Sequence, residues 1–314
     1  MSTLDPTLFA DAADALGISS PTIVEKDYFA IQLLRELKTI NFPEYQLVFS
    51  GGTCLAKAYQ NIYRMSEDID IKLVPKKPTL RLSREKQRNL RRNIYQTVIA
   101  LLEQSTVFNL ITPTIKRNEG CYQQFLIEYP NFHGSFDALR PHLQLDLTES
   151  LLLQPPVNKP LRSLYAEVAE LQPEVDDFLC VTVESAASEK FVSLLRRTAA
   201  FARDNSKADD ATLIRHAYDL HLIANNLSNL NSIANLVHQV IEIDVAQFGN
   251  QHPEFKQKPI DELRFGLGNL QQNPIHQARY QKFIGPLVYH PEPADWKAVL
   301  NTLVKLAKLV FSSK

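Results

Sequence analysis

Residues 49–73, FSGGTCLAKAYQNIYRMSEDIDIKL, constrain this chain more than any other stretch. The apolar run Leu47-Val48-Phe49 leads into Gly51-Gly52, so a strand is expected to run into a tight turn. Thr53 then opens a helical pattern through Leu55, Ala56 and Tyr59. After it, Asp68-Ile69-Asp70-Ile71-Lys72-Leu73 alternates strictly, which is the period of a half-buried strand. Ile69, Ile71 and Leu73 then face a core, while Asp68 and Asp70 share the opposite face, about 6.6 Å apart at the rise of a strand. Adjacent carboxylates repel, and a divalent cation with oxygen ligands is a common reason for a fold to tolerate that.

The pattern on either side predicts two lobes. At 314 residues the chain exceeds one typical domain, and 45% hydrophobic residues suffice for a packed core. Helices are expected over residues 7–17, 21–38 and 53–63, with core strands over 47–50 and 68–74. Pro75 and Pro78 end the second strand. Ser83 is placed to cap a long helix whose Leu90, Ile94, Val98, Leu101 and Leu102 form an apolar stripe. Residues 108–115 and 122–129 read as the arms of a hairpin. Residues 141–148 alternate again, with three leucines inward and Asp146 on the polar face. Residues 154–160, holding three prolines, read as a loop or lobe boundary, and 179–183 as a last strand. Helical periodicity then covers 185–203, 209–225, 230–247, 259–270, 275–285 and 294–312. The expected fold is α/β (α+β) over residues 1–184, followed by an all-helical lobe over 185–314.

A glycine turn, a helix and a D-x-D strand resemble the way nucleotidyltransferases of the DNA polymerase β type hold a nucleoside triphosphate and its magnesium ions. More specifically, G-G-T-x-L (Gly51, Gly52, Thr53, Leu55) followed by R-x-S-x-D-x-D (Arg64, Ser66, Asp68, Asp70) resembles the AbiEii/AbiGii family. These are nucleotidyltransferase toxins of type IV toxin–antitoxin and phage-abortive systems. Glu25-Lys26-Asp27-Tyr28 upstream, Glu189-Lys190 with Arg197, and Arg215-His216-Ala217-Tyr218-Asp219-Leu220 resemble further motifs of that family. The resemblance covers about residues 20–225 and implies a nucleotidyltransferase-like mixed sheet flanked by helices. Fifteen residues separate Gly52 from Asp68, more than in minimal nucleotidyltransferases but in keeping with this family.

Asp68, Asp70 and Asp146 form the expected triad for Mg2+ or Mn2+, since two-metal phosphoryl transfer needs several converging carboxylates. A solvated polar sheet face is the plain alternative for each of them. Gly51, Gly52 and Thr53 let the backbone approach phosphate oxygens at a helix start, and Ser66 and Arg64 are placed to join them or to serve as turn residues. Lys190 and Arg197 share a helical face at i and i+7; the resemblance makes Lys190 the catalytic lysine and brings Asp219 into the site. A partner for Arg215 is the structural alternative for Asp219. Glu25, Lys26 and Asp27 read chiefly as a structural cluster.

No G-x-x-x-x-G-K-[ST] phosphate loop is present, which argues against a P-loop ATPase. The net charge of −1 excludes a globally basic nucleic-acid binder but not a local basic surface. The basic run Lys76, Lys77, Arg81, Arg84, Lys86, Arg88, Arg91 and Arg92 reads as a guide for an RNA backbone, as the exposed face of a soluble helix, or as a docking surface for an acidic antitoxin. Cys54, Cys121 and Cys180 have no paired spacing for zinc, the N-terminus lacks a signal-peptide layout, and no apolar run spans a membrane. A reducing cytoplasm is expected. The leading expectation is a metal-dependent, growth-arresting nucleotidyltransferase that uses a nucleoside triphosphate, releases pyrophosphate, modifies the 3′ end of tRNA and has an antitoxin partner. A small-molecule or protein acceptor, a non-catalytic regulatory protein on the same fold, and a two-metal phosphohydrolase are the alternatives, in that order.

Overall fold

The structure, a computed structural model, describes residues 5–59, 62–204 and 209–312. The chain divides into two units between Val181 and Thr182.

In the first unit, α1 (Thr7–Leu16) and α2 (Pro21–Lys38) precede β1 (Tyr45–Ser50). Then follow α3 (Gly51–Ala58), β2 (Asp68–Pro75), α4 (Arg84–Gln104), β3 (Asn109–Arg117), β4 (Tyr122–Glu128) and β5 (Leu143–Glu149). β6 (Val157–Leu161), α5 (Leu164–Val168) and β7 (Val175–Cys180) complete it. Among the described residues the strands form one seven-stranded sheet of order β3-β4-β5-β2-β1-β7-β6. The sheet is mixed: β2 runs antiparallel to β1 but parallel to β5, and β1 runs parallel to β7.

Alternation decides the faces. Ile69, Ile71, Leu73, Leu143, Leu145, Leu147, Phe125 and Ile127 are all at or below 1% exposure, so one sheet face is sealed under helices. The residues between them in β2 and β5 form the polar face. Ser83 does cap α4, accepting from the Lys86 backbone N–H at 3.4 Å. Ser20 caps α2 in the same way, with Pro21 at its first position.

Three expectations needed revision. The helix expected over 53–63 starts two residues earlier and ends at Ala58; residues 60–61 lie outside the described ones. The proline-rich stretch 154–160 is not simply a loop, because β6 starts within it. β6 is an edge strand, and its pairing with β7 shifts register between Lys159 and Leu161, so Pro160 sits at a bulge where its missing N–H costs no ladder bond. Finally, β7 begins at Val175, four residues before the strand expected at 179–183.

The second unit is helical: α6 (Val183–Arg203), α7 (Arg215–Asn226), α8 (Asn231–Phe248), α9 (Pro253–Gln257), α10 (Pro259–Gln272), α11 (Pro274–Leu287) and α12 (Trp296–Ser312). α6 is its axis, with α7, α8 and α10 packed on it. Gly266 allows the closest of these approaches, since a Cβ there would fall 2.1 Å from the Leu195 carbonyl oxygen. No helix among the described residues is long and apolar enough to cross a membrane.

Candidate active site

β1 ends at Ser50, and the chain turns through Gly51 at φ +77°, a left-handed conformation that side chains rarely adopt. The glycine pair is packed on its outer side as well. A Cβ on Gly51 would lie 1.9 Å from Asp70 Oδ2, and one on Gly52 would lie 2.6 Å from Arg64 Nη2 and 2.7 Å from Ser66 Oγ. Gly51, Gly52, Arg64, Ser66 and Asp70 are therefore one constellation, brought together by the β1–α3 turn folding against β2. The Ser50 hydroxyl donates to the Asp70 carbonyl at 3.1 Å, and the Thr53 hydroxyl donates to the Asp68 carbonyl, which fixes the turn to the strand. Arg64 is only 3% exposed and donates through Nη1 to the Met65 carbonyl at 2.9 Å, so it is no surface turn residue.

Asp146 is brought beside Asp70 by register, Asp70 pairing with Asp146 and Asp68 with Gln144 across β2 and β5. All three aspartates thus occupy the polar face. Asp146 Oδ1 accepts from the Tyr122 hydroxyl and Gln124 Nε2, both at 3.1 Å, and Oδ2 accepts from Gln144 Nε2 at 2.9 Å. Burial pushes the Asp146 carboxyl up; these three neutral donors oppose the shift and the Asp68 charge adds to it. Asp68 in turn pairs with Arg140, whose other arm reaches Gln144.

Arg140 was absent from the sequence expectations, as were Tyr122, Gln124 and Gln144. Gln144 was accessible in principle, standing two residues before Asp146 in the same alternating strand. Arg140 was not, because it lies outside any strand and is placed by buried long-range contacts. Lys26 Nζ donates to Glu67 Oε2 at 2.8 Å and to the Arg140 carbonyl at 2.6 Å, and the Arg140 backbone N–H donates to Glu67 Oε2 at 2.7 Å. Lys26 is fully buried and Glu67 is 5% exposed. Burial pushes the Lys26 ammonium down; burial of Glu67 works to raise its carboxyl, but Lys26 and Arg140 hold it below its ordinary range.

The neighbours of Lys26 are anchors too. Glu25 accepts from the Phe132 backbone N–H at 2.7 Å, while Asp27 pairs with Lys57 of α3 and accepts from the Leu164 N–H at 2.7 Å. Three successive helical residues point about 100° apart, so α2 ties the 132–140 segment, α3 and α5 together.

The donor set on the polar face is three carboxylates, the hard oxygen chemistry that suits magnesium or manganese rather than zinc. Among the described residues, no group of three or more histidine, cysteine, aspartate or glutamate side chains is placed to hold a metal ion. Asp70 and Asp146 stand on neighbouring strands, while Asp68, two residues from Asp70, is paired with Arg140.

In the second unit, Lys190 of α6 and Asp219 of α7 form an ion pair at 3.0 Å, with side-chain exposures of 9% and 0%. Arg197, one face along the same helix, pairs with Asp210 at 2.7 Å and is 40% exposed.

A family model described as "Nucleotidyl transferase AbiEii toxin, Type IV TA system" matches residues 32–302. Among solved structures, MenT4, a nucleotidyltransferase toxin from Mycobacterium tuberculosis H37Rv, superposes with a TM-score of 0.59. That alignment covers 99% of this chain and 91% of MenT4 at 18% identity, a likeness of fold. No curated protein sequence matches the chain significantly.

Proposed function

The chain belongs to the AbiEii family of nucleotidyltransferase toxins of type IV toxin–antitoxin systems, and we propose that it transfers a nucleoside monophosphate from a nucleoside triphosphate to a hydroxyl of RNA, with the 3′ end of tRNA as acceptor. In that reaction the acceptor oxygen bonds to the α-phosphorus, the bond to the bridging oxygen breaks, and pyrophosphate leaves. The observation that carries the reading is the fit of the Gly51-Gly52 turn against Asp70 on one side and Arg64 and Ser66 on the other. A bare backbone, a buried guanidinium, a hydroxyl and a helix start are the parts of a phosphate cradle. Bound divalent ions would be held by Asp68, Asp70 and Asp146, and would supply charge neutralisation for the triphosphate.

Thr53 keeps the cradle in register with β2, and Arg140 orients Asp68. Lys190 is assigned the stabilisation of charge on the phosphates, and Asp219 the placing of its ammonium. Arg197 is assigned a weaker phosphate contact, since Asp210 already engages it. The action is cytoplasmic in this reading, with an antitoxin as the protein partner.

The test is incubation of purified protein with each labelled nucleoside triphosphate, Mg2+ or Mn2+, and total tRNA. Label in RNA, lost on EDTA treatment and in Asp70→Asn, is the expected result. Label in the protein or in a small molecule moves the acceptor class, and no label in any product overturns the transferase reading for this chain.

A further inference from the structure

The eight basic residues from Lys76 to Arg92 do not form one surface. Arg91 is turned inward, 4% exposed, with Nη1 on Glu149 Oε2 at 3.1 Å and Nε on the Glu119 carbonyl. Arg88 and Arg92, one helical turn apart on α4, remain outward, and two cations of β3, Lys116 and Arg117, come up beside them. These four exposed side chains line one groove at the β3 edge of the sheet. None of the four joins an ion pair among the described residues, and Glu119 is the acidic side chain on the groove, so its balance is strongly positive.

The groove straddles the β3 edge: Lys116 shares the leucine face with Gln123 beneath α4, whereas Arg117 shares the Asp146 face with Tyr122. Lys116 Nζ stands 3.1 Å from the Tyr95 ring centroid, and the Arg117 guanidinium lies 5.7 Å from the ring of Tyr122. Arg117 and Tyr122 are register partners, and the Tyr122 hydroxyl is bonded to Asp146. Four exposed cations round one sheet edge suit a polyanionic backbone, and Arg117 carries that charge on to the face that holds Asp146. An acidic protein segment would use the charge but has no need of a line ending at Asp146.

We propose that the Arg88–Arg92–Lys116–Arg117 groove is the docking track for the phosphate backbone of the RNA acceptor, leading round the β3 edge past Arg117 to the Asp146 face. The proposal rests on the RNA-acceptor reading above and adds where that acceptor lies.

Binding is measured by anisotropy of a fluorescein-labelled structured tRNA, in EDTA and without nucleotide, across a salt series. The comparison is between wild type, R88Q/R92Q/K116Q/R117Q, and a charge-matched control with Lys282, Lys297, Lys305 and Lys308 changed to Gln. The expected result is more than tenfold weaker binding by the groove variant, with the slope of log K against log salt reduced by about 3. The control keeps the wild-type slope. Equal losses in both variants, or none in the groove variant, overturn the track while leaving the transferase reading intact. R92Q/R117Q, expected to lose about half of that slope change, serves the same comparison if the quadruple variant melts early. Wild type that binds polyglutamate but not tRNA makes the groove a protein-docking surface and overturns the proposal. Wild type that neither binds nor labels RNA removes the acceptor reading itself.

Discussion

Asp70 and Asp146 stand opposite each other in the parallel pairing of β2 and β5, so two acidic side chains share the polar face one strand apart. Their separation is set by the strand spacing of about 4.8 Å, and neither depends on a loop for its position. Asp70→Asn and Asp146→Asn are each expected to lower nucleotidyl transfer by about 100-fold or more. They should also abolish the rise in melting temperature on adding Mn2+ with a non-hydrolysable nucleotide. An Asp146→Asn protein that keeps the full Mn2+-dependent shift would remove Asp146 from the ion-binding set.

Gly51 bears a double constraint, a positive φ and the Asp70 carboxylate where a side chain would go. Gly51→Ala meets left-handed strain of about 1–2 kcal/mol and must also push Asp70 aside. It should therefore lose transfer activity as severely as Asp70→Asn, while its melting temperature falls only modestly. Gly52→Ala displaces Arg64 and Ser66 instead, so a raised KM for the nucleotide is the expected signature. Steady-state kinetics on the two variants separates the cases.

The Lys190–Asp219 pair is closed off from solvent, so removing one partner takes the opposite charge away from a buried group. Lys190→Met and Asp219→Asn are each expected to cost about 3–5 kcal/mol, and the double variant less than the sum of the two. Urea denaturation of the four proteins gives the coupling directly. Strict additivity would mean that the ammonium and carboxylate do not depend on each other.

Lys26 has no route to solvent and holds both Glu67 and the Arg140 carbonyl. Lys26→Met should release the 131–142 segment, seen as new chymotryptic cleavage at Phe132 or Phe136, with stability lower by about 3–5 kcal/mol. Arg140→Gln should leave that segment protected, because its backbone N–H and carbonyl remain bonded. The same cleavage pattern in both variants would show that the side chain, not Lys26, holds the segment.

His276 carries the pH prediction for the helical unit. Burial, then the charge of Arg279, pushes its pKa down to about 4 against a weaker pull from Asp209, while Nε2 bonds Asn269 Oδ1 at 2.9 Å. A depressed pKa means the folded state prefers the neutral ring. Its contribution is complete above the ordinary value of about 6.5 and is lost as pH falls towards 4. His276→Gln should therefore flatten the fall in melting temperature between pH 6.5 and 4. Parallel curves for the two proteins would rule the histidine out.

The strand faces and the glycine turn that frame the candidate site were readable from the sequence because they are built from short-range regularity. The alternation of Asp68 and Asp70 with isoleucines, and of Asp146 with leucines, announces strand faces, and the glycine pair before Thr53 announces a turn into a helix. The resemblance to one family pointed to Lys190 and Asp219, which spacing alone would not have distinguished from solvated helix positions and which form a buried pair in the helical unit. What stayed hidden was whatever tertiary contact decides. Arg140 reaches Asp68 across 72 positions, and Arg91, spaced like its exposed neighbours, is buried because Glu149 lies beneath it. Pro160 disguised β6, since a proline within a strand pattern counts against a strand until the edge position is known.

The anchoring of Glu25, Lys26 and Asp27 has a consequence for how the protein is made. Lys57 and Glu67 are made early, but the remaining partners, Phe132, Arg140 and Leu164, come later in the chain. A nascent polypeptide emerging from the ribosome therefore carries Glu25 without its Phe132 partner, and Lys26 and Asp27 only partly matched, until about half of its length has been synthesised. Until then that helix has no low-energy interior to enter, and the carboxylate face stays unassembled, so a toxic activity would be withheld during early translation.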